Sequence, residues 1–211
     1  MQQILNAPLL NSSKWLDQQN ESILLHKMNT IDTIIFDLGA VLIDWNPRHL
    51  YRKVFQNEEK MEWFLTNICT SEWNEEQDAG RSFEEATQLL ISKHPEFEHE
   101  ILCFWKRWEE MLSGPISGTV EIFNELRESG KYKILALTNW SAETFPVAQS
   151  KYNFLNQFDG IVMSGAEKTR KPFPEFYQIL LTRYQVTASK ALFIDDNIRN
   201  IEAALTLGIP S

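Results

Sequence analysis

The chain has 211 residues, 43% of them hydrophobic and 23% charged, with a formal net charge of −9. That apolar fraction excludes wholesale disorder, and the length predicts one domain or one domain carrying an inserted subdomain. With 29 acidic against 20 basic side chains, broad binding to nucleic acid or to anionic lipid is not expected, although a local cation can still draw a small anion to one site. Cys69 and Cys103 are far apart and form no CxxC, which argues for two thiols in a reducing cytoplasm rather than a disulfide framework or zinc cluster. No apolar run approaches a membrane span, and the N-terminus lacks the pattern of a signal peptide.

Residues 1–30 read as a polar extension in which Ser12 or Ser13 caps a short helix with a ragged apolar face. The run Thr33-Ile34-Ile35-Phe36 predicts a strand buried on both faces. It ends at Asp37-Leu38-Gly39. Asn46-Pro47 then pairs a cap residue with a proline suited to the first helical turn, and helical apolar periodicity continues from Leu50 through Leu112. This stretch closes at Ser113-Gly114-Pro115.

Beyond it, helices alternate with three further strand-like runs: Ile134–Leu137, Gly160–Met163 and Ala191–Ile194. Strand–helix alternation calls for right-handed crossovers and a parallel sheet covered on both faces. The predicted fold is therefore α/β: a doubly wound, Rossmann-like parallel sheet with an inserted α-helical cap. The core is expected over residues 31–45 and 116–211, the cap over 46–115, and the extension over 1–30.

Polar residues collect where the strands end: Asp37, Thr138 with Asn139, and Asp195 with Asp196. In an open parallel sheet these ends border the ligand crevice, so residues roughly 100 positions apart can meet there. Asp and Asn after a strand commonly cap the next helix, which is the simpler reading of Asn197 and Asn200 and a fair one of Asn139. It fits Asp37 poorly, and it fits Asp195-Asp196 poorly, since two adjacent carboxylates call for a compensating cation.

The segments FDLGAVL, LALTNWS, RKPFPEFY and FIDDNIRNIEAA resemble, in order and spacing, the four motifs of the haloacid dehalogenase (HAD) superfamily of hydrolases, over about residues 31–211. The DLGxV form of the first motif is most similar to capped bacterial sugar-phosphate phosphatases of the α-D-glucose-1-phosphate phosphatase type. LTNxW and the paired acids also resemble the phosphatase domain fused to soluble epoxide hydrolase. The resemblance implies that Asp37 is a nucleophile forming an aspartyl-phosphate, that Thr138 donates to a phosphoryl oxygen with Asn139 orienting the group, and that Lys171 neutralises the transferring charge. It implies Mg²⁺ bound by Asp37, the Gly39 carbonyl and Asp196, with Asp195 behind them. Lys168 competes with Lys171 for the lysine role, but the Lys-Pro-x-Pro context favours Lys171. Charge agrees: three carboxylates and one lysine leave −2 without a metal, against which a phosphate dianion meets repulsion on the order of a few kcal/mol per close pair. One Mg²⁺ brings the protein site to zero.

One position departs from the pattern. Most phosphatases of the superfamily carry a second aspartate two residues after the nucleophile as general acid and base, and here that residue is Gly39. Asp44, His49 and Asp78 are the candidate substitutes. The resulting expectation is a Mg²⁺-dependent, cytoplasmic phosphatase of a small phosphorylated metabolite such as a sugar phosphate, with no nucleic acid or membrane partner. The alternatives are a 2-haloacid dehalogenase, which lacks the second aspartate and needs no metal, and a non-catalytic binding protein. Most tryptophans of the helical block are expected in its packing, and Arg81, beside the helix-breaking Gly80, is the candidate substrate contact from the cap.

Overall fold

The computed structural model describes residues 31–211, so the helix expected near Ser12 lies outside the described residues. Four strands form a parallel sheet: β1 (Thr33–Phe36), β4 (Lys133–Thr138), β5 (Gly160–Met163) and β6 (Ala191–Ile194) in the order β5-β4-β1-β6. All four side chains of β1 are buried, as expected for a central strand with helices on both faces. Ile35 packs with Phe176, Tyr177 and Leu180 of one helix and Ala204 of another. Phe36, pointing the opposite way, meets the Phe123 ring edge-on at 6.0 Å, and Phe123 lies 4.7 Å from Phe158. The helices concerned are α6 (Ser117–Glu128), α9 (Pro174–Arg183) and α10 (Ile198–Thr206); α7 (Phe145–Lys151) and the single turn α8 (Ser164–Glu167) complete the alternation.

Register decides which residues leave the sheet together. Phe36 is opposite Ile194 on one side and Ala136 on the other. Asp37 therefore emerges level with Asp195, while Thr138 and Asn139 emerge on the neighbouring strand.

The helical block between β1 and β4 comprises α1 (Pro47–Val54), α2 (Glu58–Asn67), α3 (Ser71–Asp78), α4 (Phe83–Lys93) and α5 (Glu98–Lys106). Local sequence fixes the helix starts. Asn46, Asn57, Thr70 and Ser82 each accept a hydrogen bond from a first-turn backbone N–H through the side chain, a device worth typically ~1 kcal/mol per cap. Tyr51, Phe64 and Phe104 fill the interior, with Tyr51 and Phe64 centroids 5.1 Å apart. The tryptophans divide. Trp73 packs edge-on against Phe104 and Trp105 stacks on Phe83, Trp108 meets Trp140 of the sheet domain, and Trp63 is half exposed.

The junction differs from the sequence expectation. Where the sequence predicts only a helix start at Asn46-Pro47 and a close at Ser113-Gly114-Pro115, the chain forms a two-stranded antiparallel ribbon of β2 (Ile43–Trp45) and β3 (Leu112–Pro115). Gly and Pro are poor strand formers, so β3 carries no local signal, and its partner lies about 70 residues away. The ribbon straddles the boundary expected at 45/46 and 115/116. Further ties join block and sheet: the Phe83 N–H donates to Glu143 Oε1 at 2.9 Å, and Glu75 accepts from Arg170 at 2.9 Å.

Gly165 makes the closest backbone approach near the strand ends. A methyl group there would sit on the Ala142 nitrogen and 2.8 Å from Trp140 O, whereas a methyl at Gly39 would meet nothing within 4 Å. Gly165→Ala should therefore lower the unfolding free energy by about 1–3 kcal/mol, the usual cost of forcing atoms into packed space. Gly39→Ala should stay within ~0.5 kcal/mol of the parent. Urea denaturation of the two variants measures the contrast.

Candidate active site

The strand ends carry one connected polar network. Asp37, directly after β1, accepts from the Leu38 N–H at 2.7 Å and from Lys171 Nζ at 2.9 Å; both bonds fall on Oδ1. Lys171 Nζ also donates to Asp195 Oδ2 at 2.6 Å, and the lysine side chain has no solvent exposure. Asn139 grips the Lys171 backbone from both sides, donating to its carbonyl at 3.0 Å and accepting from its N–H at 2.9 Å. Asn139 is thus not a helix cap. It fixes the lysine that neutralises the carboxylates.

Asp195 has its oxygens fully engaged. Oδ1 accepts from the Asn197 N–H at 2.8 Å, and Asn200 Nδ2 reaches both oxygens at 2.9 and 3.1 Å. Asn197 does cap α10, accepting from the Arg199 N–H. Asn200 does not cap, contrary to the simpler sequence reading, and instead aims Asp195. The signal was the spacing alone: a residue three past the cap faces back toward the strand end.

Asp37, Asp195 and Asp196 each bring one carboxylate oxygen within 4.8 Å of the others. Burial is the main force raising the Asp37 carboxyl, to about 6, opposed by Lys171 and reinforced by the Asp195 charge. Asp196 is raised as well, by burial and then by Asp195. A hard, oxygen-only set of clustered carboxylates is chemically matched to a small divalent cation, which would relieve their mutual repulsion. Thr138 is fully buried, and among the described residues its Oγ1 is the one buried side-chain polar atom without a partner. A buried hydroxyl with no partner is costly unless a ligand completes it.

Asp37, Gly39, Ala40, Asn139 and Asp196 open onto a cavity of about 640 Å³ whose other walls come from Trp45 of the ribbon and from the helical block. Trp45, Leu65 and Phe104 supply apolar surface, and Thr66, Ser71 and Asn74 supply hydroxyl and amide groups. Arg48 lines it too, but its guanidinium is held bidentate by Glu62, both bonds at 2.6 Å. Arg81, the sequence-predicted contact from the cap, closes the end of α3 instead: its guanidinium donates to Gln77 Oε1 at 2.7 Å and to Trp73 O at 3.1 Å. Lys168, with φ of +55°, ends α8, and Arg170 pairs with Glu75 and covers the Phe173 ring. Of the candidate lysines, only Lys171 touches the carboxylates.

Residues 34–211 match the family model of haloacid dehalogenase-like hydrolases, and the chain belongs to that family. It is 26% identical over 180 residues to the sesquiterpene phosphatase astK of Aspergillus oryzae, covering 85% of this chain and 88% of that protein. Among solved structures it is similar to a HAD family enzyme from Bacteroides thetaiotaomicron in complex with magnesium, with a TM-score of 0.67 and 20% identity over 86% of this chain and 91% of that one. The L-2-haloacid dehalogenase of Xanthobacter autotrophicus with covalently bound chloropropionic acid shares the fold at a TM-score of 0.59 and 16% identity, over 85% and 75% of the two chains. The protein is therefore a HAD-like hydrolase with a parallel α/β sheet. Among the described residues, no helix is long and apolar enough to cross a membrane.

The raised Asp37 carboxyl has a consequence for the metal-free protein. Its folded-state value of about 6 exceeds the ordinary 3.8, so the folded state holds more protons in between and stability falls as pH rises through that window. Asp37→Asn removes this penalty. In the presence of a chelator it should be more stable than the parent by about 1–3 kcal/mol above pH 6, with the gain vanishing near pH 4. Thermal unfolding at pH 4, 5.5 and 7.5 measures it.

Proposed function

We propose that this chain is a Mg²⁺-dependent phosphatase that removes phosphate from a small phosphorylated metabolite through an aspartyl-phosphate on Asp37. The observation that carries the reading is the Asp37–Lys171–Asp195 chain of short contacts, with Asp196 beside it, at the floor of an open cavity. The phosphatase relative in A. oryzae supports it.

Each residue has a role its surroundings suit. Asp37 attacks phosphorus with a carboxylate oxygen, its orientation held by the Leu38 N–H and Lys171. Lys171 places a desolvated positive charge against the nucleophile, where charge stabilisation and positioning do most of the work of phosphoryl transfer. The unpartnered Thr138 hydroxyl donates to a phosphoryl oxygen. Asn139, which also lines the cavity, keeps Lys171 in place through two backbone bonds.

A magnesium ion would be held by Asp37, Asp196 and the Gly39 carbonyl. Asp195 is left outside, because its oxygens are already engaged by Lys171, Asn197 and Asn200. When bound, the ion supplies neutralising charge against the phosphoryl oxygens. Arg81 has no part in this scheme, since Gln77 and Trp73 hold it.

The cavity walls suit a neutral organic group with both hydroxyl and apolar surface, so sugar phosphates head the substrate candidates and terpenyl phosphates follow from the A. oryzae relative. Arg48, the guanidinium lining the cavity, is occupied by Glu62 and offers no free cation to a haloacid carboxylate, which weighs against a haloacid substrate.

A screen of sugar, terpenyl, nucleotide and amino-acid phosphates should show phosphate release that requires Mg²⁺, stops with a chelator and returns on adding the metal. Asp37→Asn should lower kcat by at least about 10³-fold. Halide release from 2-haloacids in metal-free buffer, with no phosphate release from any ester, would replace this reading by the dehalogenase one.

A further inference from the structure

A phosphate ester of an ordinary alcohol leaves as an alkoxide and needs a proton, and the residue two past Asp37, Gly39, has none to give. Two acid–base groups near the cap junction are engaged elsewhere: Asp44 and His49 bond each other at 3.1 Å, and neither lines the cavity over Asp37. Asp78, the last residue of α3, is placed differently. It lines a second, smaller cavity of about 60 Å³ together with Gly39, Trp45, Asn74 and Asn139. Those four residues also wall the large cavity, so Asp78 adjoins the reaction space on the side that Gly39 leaves open, with room for a water between them.

Its carboxylate is anchored without being neutralised. Oδ2 accepts from Asn74 Nδ2 at 3.0 Å, and no lysine or arginine forms an ion pair with it among the described residues. Arg170, whose charge acts on Asp78, is itself paired with Glu75 at 2.9 Å, and Arg199 reaches the same glutamate at 3.7 Å.

We propose that Asp78, delivered by the helical block, is the general acid and base of the reaction, in place of the carboxyl that Gly39 lacks. This rests on the reading of Asp37 as nucleophile. In the first step the Asp37–phosphorus bond forms while the bond from phosphorus to the alcohol oxygen breaks, and the Asp78 proton passes to that oxygen, directly or over one water. In the second, water oxygen bonds to phosphorus, its proton returns to Asp78, and the Asp37–phosphorus bond breaks to release inorganic phosphate. Supporting this, burial and then the charge of Glu75 raise the Asp78 carboxyl to about 7. The Asp37 charge adds to the rise, against the Ser141 N–H and Arg170. A group near neutrality can both give and take a proton.

The test compares leaving groups, with Mg²⁺ present. Asp78→Asn should lower kcat on the best alkyl phosphate of the wild-type enzyme by about 10²–10⁴-fold. It should still release one equivalent of nitrophenol per site from p-nitrophenyl phosphate, since nitrophenolate needs no proton. Adding Gly39→Asp, which meets open space, should recover at least tenfold of the lost turnover. Alkyl turnover within threefold of wild type overturns the proposal, as does loss of the nitrophenol burst in a folded variant. If Asp78→Asn does not fold, the wild-type pH profiles decide: alkyl kcat falling toward alkaline pH while the burst rate does not supports the assignment, and parallel profiles overturn it. A wild-type enzyme that releases phosphate from neither probe overturns the nucleophile reading itself, a result distinct from an active wild type indifferent to Asp78.

Discussion

The Lys171 ammonium lies with no solvent exposure between Asp37 at 2.9 Å and Asp195 at 2.6 Å, and the burial of that charge constrains everything around it. An ammonium taken out of water loses several kcal/mol of hydration, which only close, well-aligned carboxylates offset. The two carboxylates would repel each other without the lysine between them. Each partner therefore has to be held in place, and the surrounding hydrogen bonds do that: Asn139 fixes the lysine backbone, while Asn197 and Asn200 fix Asp195. Charge balance is still incomplete, since Asp196 adds a further carboxylate, and this residual negative charge is what suits the site to a divalent cation.

The same loop ties the helical block to the sheet. Arg170, next to Lys171, bonds Glu75 of α3, and Arg199 of α10 approaches that glutamate as well. The segment presenting the buried cation is thus also the segment that places α3, and Asp78 at its end, over the strand termini. Trp108 against Trp140 and the Glu143 cap on α4 add apolar and polar contacts across the same junction. Site geometry and placement of the block are consequently coupled through a few side chains on the Asn139 and Lys171 loops.

The legible features were those with a local physical cause. A continuous apolar run such as Thr33–Phe36 marks a strand covered on both faces, and Asn46-Pro47, Ser82 and Asn197 mark helix starts through hydrogen bonds spanning two or three residues. What escaped notice depended on distant partners. The β2–β3 ribbon uses a Ser-Gly-Pro segment that has no strand preference of its own. Arg81 looked free because its partners, Gln77 and Trp73, are assembled only when α3 has formed. Asn200 reads as a cap because the carboxylate it orients, Asp195, enters its reach only at a formed helix start, and the grip of Asn139 on Lys171 exists only in the folded chain.

The order of the four segments, the strand–helix alternation and the gathering of Asp37, Thr138, Asp195 and Asp196 at strand ends are legible in the sequence alone, because each is a matter of residue type and spacing. The roles expected of these residues and of Lys171 come from the resemblance of those segments to the family. Tertiary structure decided which of those groups touch. Parallel register brought Asp37 level with Asp195, burial left Thr138 Oγ1 without a partner, and packing of α3 set Asp78 on a small cavity shared with Gly39 while fastening Arg81 elsewhere. The physical reason is that hydrogen-bond partnership and desolvation act over a few ångströms in space, and those distances are set by sheet register and helix packing rather than by the order of residues along the chain.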